Sequence, residues 1–231
     1  MYARTVGSDE LTFGVSGMLW RENLVMYDRQ TDSWWSQADG VAIQGPKRGA
    51  QLEQVASDMM SWKEWRALHP STVVLAPPGG ASGRDQYANY HASRSIGVTG
   101  RLRAGGVLDA KTRILGFRLG LRAFAVALDR LSKKPVTQFD AAGQSVVLVS
   151  GDRQGARVFL AGNRRFTDAG TNANRPRLRD QATGSIWDAL DGRAVSGPQA
   201  GAQLERVAAH QSYWFSWYSF FPDTLILEPG K

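Results

Sequence analysis

A block of about 50 residues is written twice in this chain of 231, and no other feature narrows its architecture so far. The segment Tyr27–Pro77 returns without a gap as Leu178–Pro229, at an offset of about 152, with roughly 22 identities in about 50 aligned positions. A duplication this faithful implies two like units, each burying its apolar face against the other. It constrains an architecture and leaves the chemistry open.

Within the first copy the residues read mainly as strands. Leu11-Thr-Phe-Gly-Val15 and Asn23-Leu-Val-Met-Tyr27 precede a turn-rich stretch, Asp28–Ser33. Ser33–Gln37 and Val41–Ile43 then flank Asp39-Gly40, a tight hairpin turn, and Gly45-Pro46 closes the pair. The second copy keeps both signals, as Asp191-Gly192 and Gly197-Pro198. Ala50–Val55 alternates at period two and is expected to be a further strand. Ser61 and Glu64 are spaced for a capping box that starts a short helix, with Trp62, Trp65 and Leu68 on one side. Pro70 stops it, and Thr72–Leu75 reads as a buried strand. The corresponding stripe in the second copy is Trp214, Trp217 and Phe220.

Between the copies, residues 81–112 read as a crossover, and Ile114–Leu119, Arg122–Leu128, Ser145–Val149 and Ala156–Leu160 as strands of paired hairpins. Residues 162–176 read as a polar loop. The fold class expected is mainly β (a β-rich α+β chain): two pseudo-symmetric units, 1–80 and 113–231, each with one short Trp-containing helix, around a shared core. Six of the eight Trp form repeat-related pairs, Trp35 with Trp187, Trp62 with Trp214 and Trp65 with Trp217. They are expected to be core anchors, a stacking site for a sugar or base being the alternative.

Composition removes several function classes. With 42% apolar residues the chain folds, and no apolar run approaches the roughly 18 residues of a membrane span. The net charge of +7 is spread over scattered Arg, with no basic tract and no interleaved aromatics, so no nucleic-acid partner is expected. The absence of Cys removes disulfides and thiolate chemistry from these residues. Phosphate-loop, dinucleotide, nucleophile-elbow and His-Glu-x-x-His patterns are missing, and His69, His91 and His210 stand far apart. No cofactor and no metal site are expected. Asp28 and Asp180 hold equivalent places, as do Glu53 and Glu205; a carboxylate pair is one reading, a turn cap and a solvated strand position the other. Gly83-Arg-Asp-Gln-Tyr-Ala-Asn-Tyr-His91 carries two tyrosines beside an Arg-Asp pair, more than a linker needs. The candidate ligand-binding residues are therefore Arg84, Asp85, Tyr87, Tyr90, Asp28 and Trp35.

LTFGVSG, LVMYDRQTDSWWSQADGVAIQGP, the W-x-x-W helix, HPSTVVL and the segment Gly83–Tyr90 together resemble the bacterial family known as domain of unknown function 3179. Gln86 stands where that family has Pro in R-D-P-Y-x-x-Y. The resemblance covers in effect the whole chain. It implies a Y-C-x-x-C segment, selenocysteine-bearing in some members, ahead of LTFGVSG, and often an export signal. On that alignment the thiol pair falls upstream of Met1, so the chain reads as truncated or as a member without its first strands. The first unit is then expected to leave an open sheet edge, exposed, borrowed, or covered by a partner or the missing segment, and a closed barrel there would contradict this. Three functional classes follow. One is a noncatalytic extracytoplasmic or periplasmic domain with a family role in redox or metal chemistry, its thiols outside this chain. Another is a small-ligand or carbohydrate-binding module using the cleft between the repeats. A third is a hydrolase built on Asp28 or Asp180. The residues lean against an enzyme.

Overall fold

A computed structural model describes residues 1–75, 87–100, 102, 105–150, 155–172 and 175–229. A small hairpin, β1 (Thr5–Val6) and β2 (Asp9–Glu10), precedes an antiparallel meander of β3 (Phe13–Trp20), β4 (Asn23–Asp28), β5 (Trp34–Ser36) and β6 (Ala42–Gln44). Helices α1 (Trp62–Leu68) and α2 (Ala88–Ala92) follow. Then come β7 (Arg113–Leu119), β8 (Arg122–Ala127), α3 (Leu128–Lys133), β9 (Val136–Ala141), β10 (Gln144–Ser150) and β11 (Ala156–Leu160). A second meander of β12 (Phe166–Asn172), β13 (Arg175–Asp180), β14 (Ile186–Asp188) and β15 (Ala194–Ser196) leads to β16 (Arg206–Val207), β17 (Ala209–Tyr213), α4 (Trp214–Phe220) and β18 (Leu225–Ile226). The chain is mainly β, with several antiparallel sheets, four short helices and no barrel among the described residues.

The latter part is a stack of layers, and strand alternation explains why. In β10, Val146 and Leu148 face the sheet β17-β7-β8-β18, where they pack with Leu115, Phe117, Phe124 and Val126. Val147 and Val149, one residue out of phase, face the second meander and pack with Leu178 and Trp187. A strand covered on both faces must be apolar at every position, which is why Val146–Val149 is an unbroken run. In the same way β7 and β8 send Ile114, Ala123 and Ala125 to the opposite side, where Trp214 and Trp217 of α4 lie on them. Gly116 is needed there: a Cβ would come 2.5 Å from the Trp217 ring.

Many contacts recur at the offset of the sequence repeat. Phe13 meets Trp35 edge-on at 5.7 Å, and Phe166 meets Trp187 edge-on at 5.7 Å. Gly40 and Gly192 both adopt positive φ, and an added Cβ would strike the Tyr2 ring at the first and the Phe159 ring at the second. The amides of Gln51 and Gln203 donate to the carbonyls of Asp39 and Asp191, each at 2.6 Å. Trp65 and Trp217 each donate their indole N–H to a threonine seven residues on, Thr72 and Thr224.

Other expectations are corrected. Ala50–Val55 is not a strand; it makes only the bridges Val41–Gln51 and Tyr2–Gln54. Residues 162–176 contain the strand β12, because the turn-forming residues there sit at the edge of a sheet that supplies the pairing. The capping box at Ser61 is formed, with both reciprocal bonds, yet α1 buries no residue, and Trp62 is 48% exposed. Residues 72–75 form no strand, and Leu75 is 94% exposed. The reason is what lies beneath: α4 has β7 and β8 under it and β18 adds to β8, whereas no described strand lies under α1. The Trp62–Trp214 and Trp65–Trp217 pairs thus occupy unlike surroundings. The single shared core resolves into four clusters. One holds Leu11, Trp35, Ala42 and Leu52, and the other three lie beyond residue 107.

Candidate functional site

Where the first meander meets β17 and α4, a cavity of about 300 Å³ opens. Both copies contribute the same stretch to it: Ser57, Asp58 and Met59 from the first, Ala209, His210, Gln211 and Ser212 from the second. This is also where the copies diverge, since positions 57–61 and 209–213 share no residue while their flanks match. Trp217, Phe220 and Phe221 form its aromatic wall.

His210 sits on β17 opposite Gly116, its ring 5.0 Å from that of Trp217. Burial pushes its pKa down to about 4, so the imidazole is neutral at pH 7. Its Nδ1 lies 3.1 Å from the amide nitrogen of Gln54, and in the neutral ring that nitrogen accepts and Nε2 carries the proton. The Gln54–His210 bond is thereby a polar link between the two copies.

Asn23 is presented by an unusual turn. Arg21 and Glu22 both have positive φ (51° and 60°), the two-residue hairpin geometry that Asn-Gly normally fills. Neighbouring contacts hold it: the Arg21 guanidinium donates to the Ser219 carbonyl at 2.6 Å and lies 4.8 Å over Trp20, while Glu22 accepts from the backbone of Val98 and Thr99. Asn23 follows at once, lining the cavity, and its Oδ1 is buried without a hydrogen-bond partner. Such an atom is rare in folded proteins and marks a place where a partner is wanted.

Asp58, at the cavity edge, pairs with Arg206 and lies 3.0 Å from Arg157 Nε. The Arg157 contact is an ion pair without hydrogen-bond alignment. Arg157 is 3% exposed, and burial weakens its hold on the proton against the pull of Asp58.

The residues singled out from the sequence lie elsewhere. Asp28 and Trp35 are fully buried and bonded to each other, Nε1 donating to Oδ2 at 2.8 Å. Burial pushes the Asp28 carboxyl up, but bonds from Trp35 and Thr31 outweigh it and hold the pKa below the usual range. Asp180 is likewise enclosed, accepting from Thr183 at 2.6 Å. Both aspartates cap turns, and neither lines the cavity. Tyr87 is exposed at the start of α2; Tyr90 accepts from Gly97 N–H at 3.2 Å and carries Lys111 Nζ 3.8 Å over its ring. Neither tyrosine reaches the cavity, and Arg84 and Asp85 lie outside the described residues. Sequence reading passed over Asn23, Gln54 and His210, although the run of mismatches within the repeat pointed to the last. Among the described residues no three His, Asp or Glu side chains gather as a metal site would require, and no helix is long and apolar enough to cross a membrane.

No curated protein and no solved structure matches the chain. Its sequence does match one family over residues 1–224, and by that match the chain belongs to the family described as Protein of unknown function (DUF3179).

Proposed function

We propose that this chain is a noncatalytic binding module whose site is the cleft between the units 1–80 and 113–231. The observation that carries the reading is the cavity of about 300 Å³ walled by both copies and lined by amide, hydroxyl and aromatic side chains. A largely preformed pocket with a few placed polar groups is also the usual form of a small-molecule site. The turn aspartates, by contrast, are engaged in holding loops and offer no reacting group.

The test is a fragment screen by amide and side-chain NMR on the labelled chain. Binding in the cleft predicts shifts concentrated at Asn23, Gln54, His210 and Trp217. Responses confined to Tyr87 and Tyr90, or scattered over the surface, would refute the assignment.

A further inference from the structure

We infer that α1 and the run Val73–Leu75 are a docking surface for a partner polypeptide, which supplies an antiparallel β-hairpin with small residues at the centre of its covered face. The internal repeat carries the inference, because the second copy shows the same surface with such a hairpin in place.

The two surfaces are built alike. α1 and α4 both start from an extended residue, Ser61 at φ −68°, ψ 151° and Tyr213 at φ −75°, ψ 146°. They also end alike, at His69 with φ −131°, ψ 70° and at Phe221 with φ −129°, ψ 68°. Each helix then fixes the residues that follow through an indole N–H donated to a threonine, Trp65 to Thr72 at 2.9 Å and Trp217 to Thr224 at 2.7 Å. The backbone N–H groups of Thr72 and Thr224 donate in turn to the carbonyls of His69 and Phe221. The first copy is thus shaped before anything binds it, and little ordering is left to oppose association.

What differs is the cover. Trp214 and Trp217 are 1% and 3% exposed, whereas Trp62 and Trp65 are 48% and 36% exposed. In the second copy β18 adds in parallel to β8, and Leu227 N–H donates to the Ala125 carbonyl at 2.8 Å. Val73, Val74 and Leu75 stand at the equivalent positions, are exposed, and pair with no strand among the described residues. Two indoles and three aliphatic side chains left open on one helix–strand unit mark an interaction site. Tryptophan is also a residue type on which binding energy concentrates at interfaces.

The second copy prescribes the chemistry of the partner as well. Beneath α4, β7 and β8 present Ile114, Gly116, Ala123 and Ala125 to the indoles, and a Cβ at Gly116 would come 2.5 Å from the Trp217 ring. A hairpin that seats Trp62 and Trp65 therefore needs glycine or alanine under them, and a free strand edge to which residues 73–75 can add. A second copy of this chain offers neither, since its β7–β8 face is taken by its own α4 and its β8 edge by its own β18. The partner is a different chain.

The probe is a cyclic peptide of residues 113–128, closed by D-Pro-Gly so that the hairpin is formed, titrated into the full chain with the Trp indole N–H signals followed by NMR. The Trp62 and Trp65 signals should shift and saturate while those of Trp214 and Trp217 stay in place. The peptide carrying Gly116→Leu should bind about tenfold or more weakly, because the indole has nowhere to go. Trp65→Ala in the chain should weaken the unaltered peptide by about tenfold or more. Should that variant loosen α1, Val74→Lys, which lies outside the helix, should weaken the peptide likewise. Absence of a saturable shift at Trp62 and Trp65, or a shift confined to Trp214 and Trp217, would overturn the proposal. So would a dimer of the chain alone, seen by sedimentation and lost in Trp65→Ala, which would make a second copy the occupant.

Discussion

Two tryptophans in equivalent places carry different burdens. Trp35 and Trp187 are both fully buried, each edge-on to a phenylalanine. Trp35 gives its N–H to the buried carboxylate of Asp28, whereas the Trp187 N–H has no partner and its ring instead has the Arg164 guanidinium 5.2 Å away. Replacing each by Phe removes the same atoms, so the difference isolates the bond. Trp35→Phe should therefore cost about 1–2 kcal/mol more than Trp187→Phe in urea unfolding, as hydrogen bonds to charged groups are worth about 1.5–3 kcal/mol. Equal costs would mean that Thr31 alone satisfies Asp28. His210 gives the second prediction at this scale. Its folded pKa, about 4, lies below the ordinary 6.5. The unfolded chain thus binds the extra proton as pH falls, so the contribution is fully present above 6.5 and is lost progressively from 6.5 to about 4. The span is on the order of 3 kcal/mol. Urea midpoints at about pH 7.5 and about pH 4.5 should diverge less in His210→Gln than in the parent chain; parallel behaviour would show the ring to be accessible to protons.

At the scale of elements, helices written by matching sequence are used differently. α1 has the better local signals, a completed capping box at Ser61 and Glu64, yet it buries nothing. α4 lacks a side-chain cap and buries Trp214, Phe215 and Trp217. Short helices draw most of their stability from packing, so what lies under the helix decides. Trp217→Ala should cost about 3–5 kcal/mol, as deletion of a buried aromatic does, while Trp65→Ala, at a residue 36% exposed, should stay below about 1 kcal/mol. Thermal unfolding of the two variants measures this, and similar losses would place Trp65 in a core that the structure does not show. The same contrast explains what could be read in advance. Hairpins 34–44 and 186–196 were legible because their turns carry Asp-Gly and their strands alternate, signals complete within a few residues. The burial of Thr72–Leu75 was inferred from an apolar run, but burial depends on a neighbour. β18 has β8 beside it, and residues 72–75 have no such strand among those described.

Across the whole molecule, the repeat foretold sheet content and missed the site for a related reason. Identities between copies record what each meander needs for itself: Asp28 and Asp180 capping turns, Gly40 and Gly192 clearing a ring, Gln51 and Gln203 holding a loop. Contacts between the copies fall on the residues that differ, because one cavity receives Asp58 from one side and His210, its counterpart at the repeat offset, from the other. No hydrophobic cluster among the described residues spans residues 1–75 and the layers beyond 107; polar links such as Gln54–His210 and Asp58 with its two arginines join them, together with the edge-on contact of Trp20 with Phe220 at 5.7 Å. Of these, the Asp58 link should dominate. Arg157 is buried, and removing its counter-ion leaves a desolvated charge with its compensation gone, a loss of about 3–5 kcal/mol in comparable pairs. Arg206 is more exposed, and its removal leaves the Asp58–Arg157 pair intact, so Arg206→Met should cost no more than about 1 kcal/mol. Denaturant unfolding of Asp58→Asn against Arg206→Met tests the asymmetry. Should the two cost the same, the buried guanidinium would not depend on Asp58, and the joint between the copies would lie in the remaining contacts, Gln54 with His210, Trp20 with Phe220 and Arg21 with the Ser219 carbonyl.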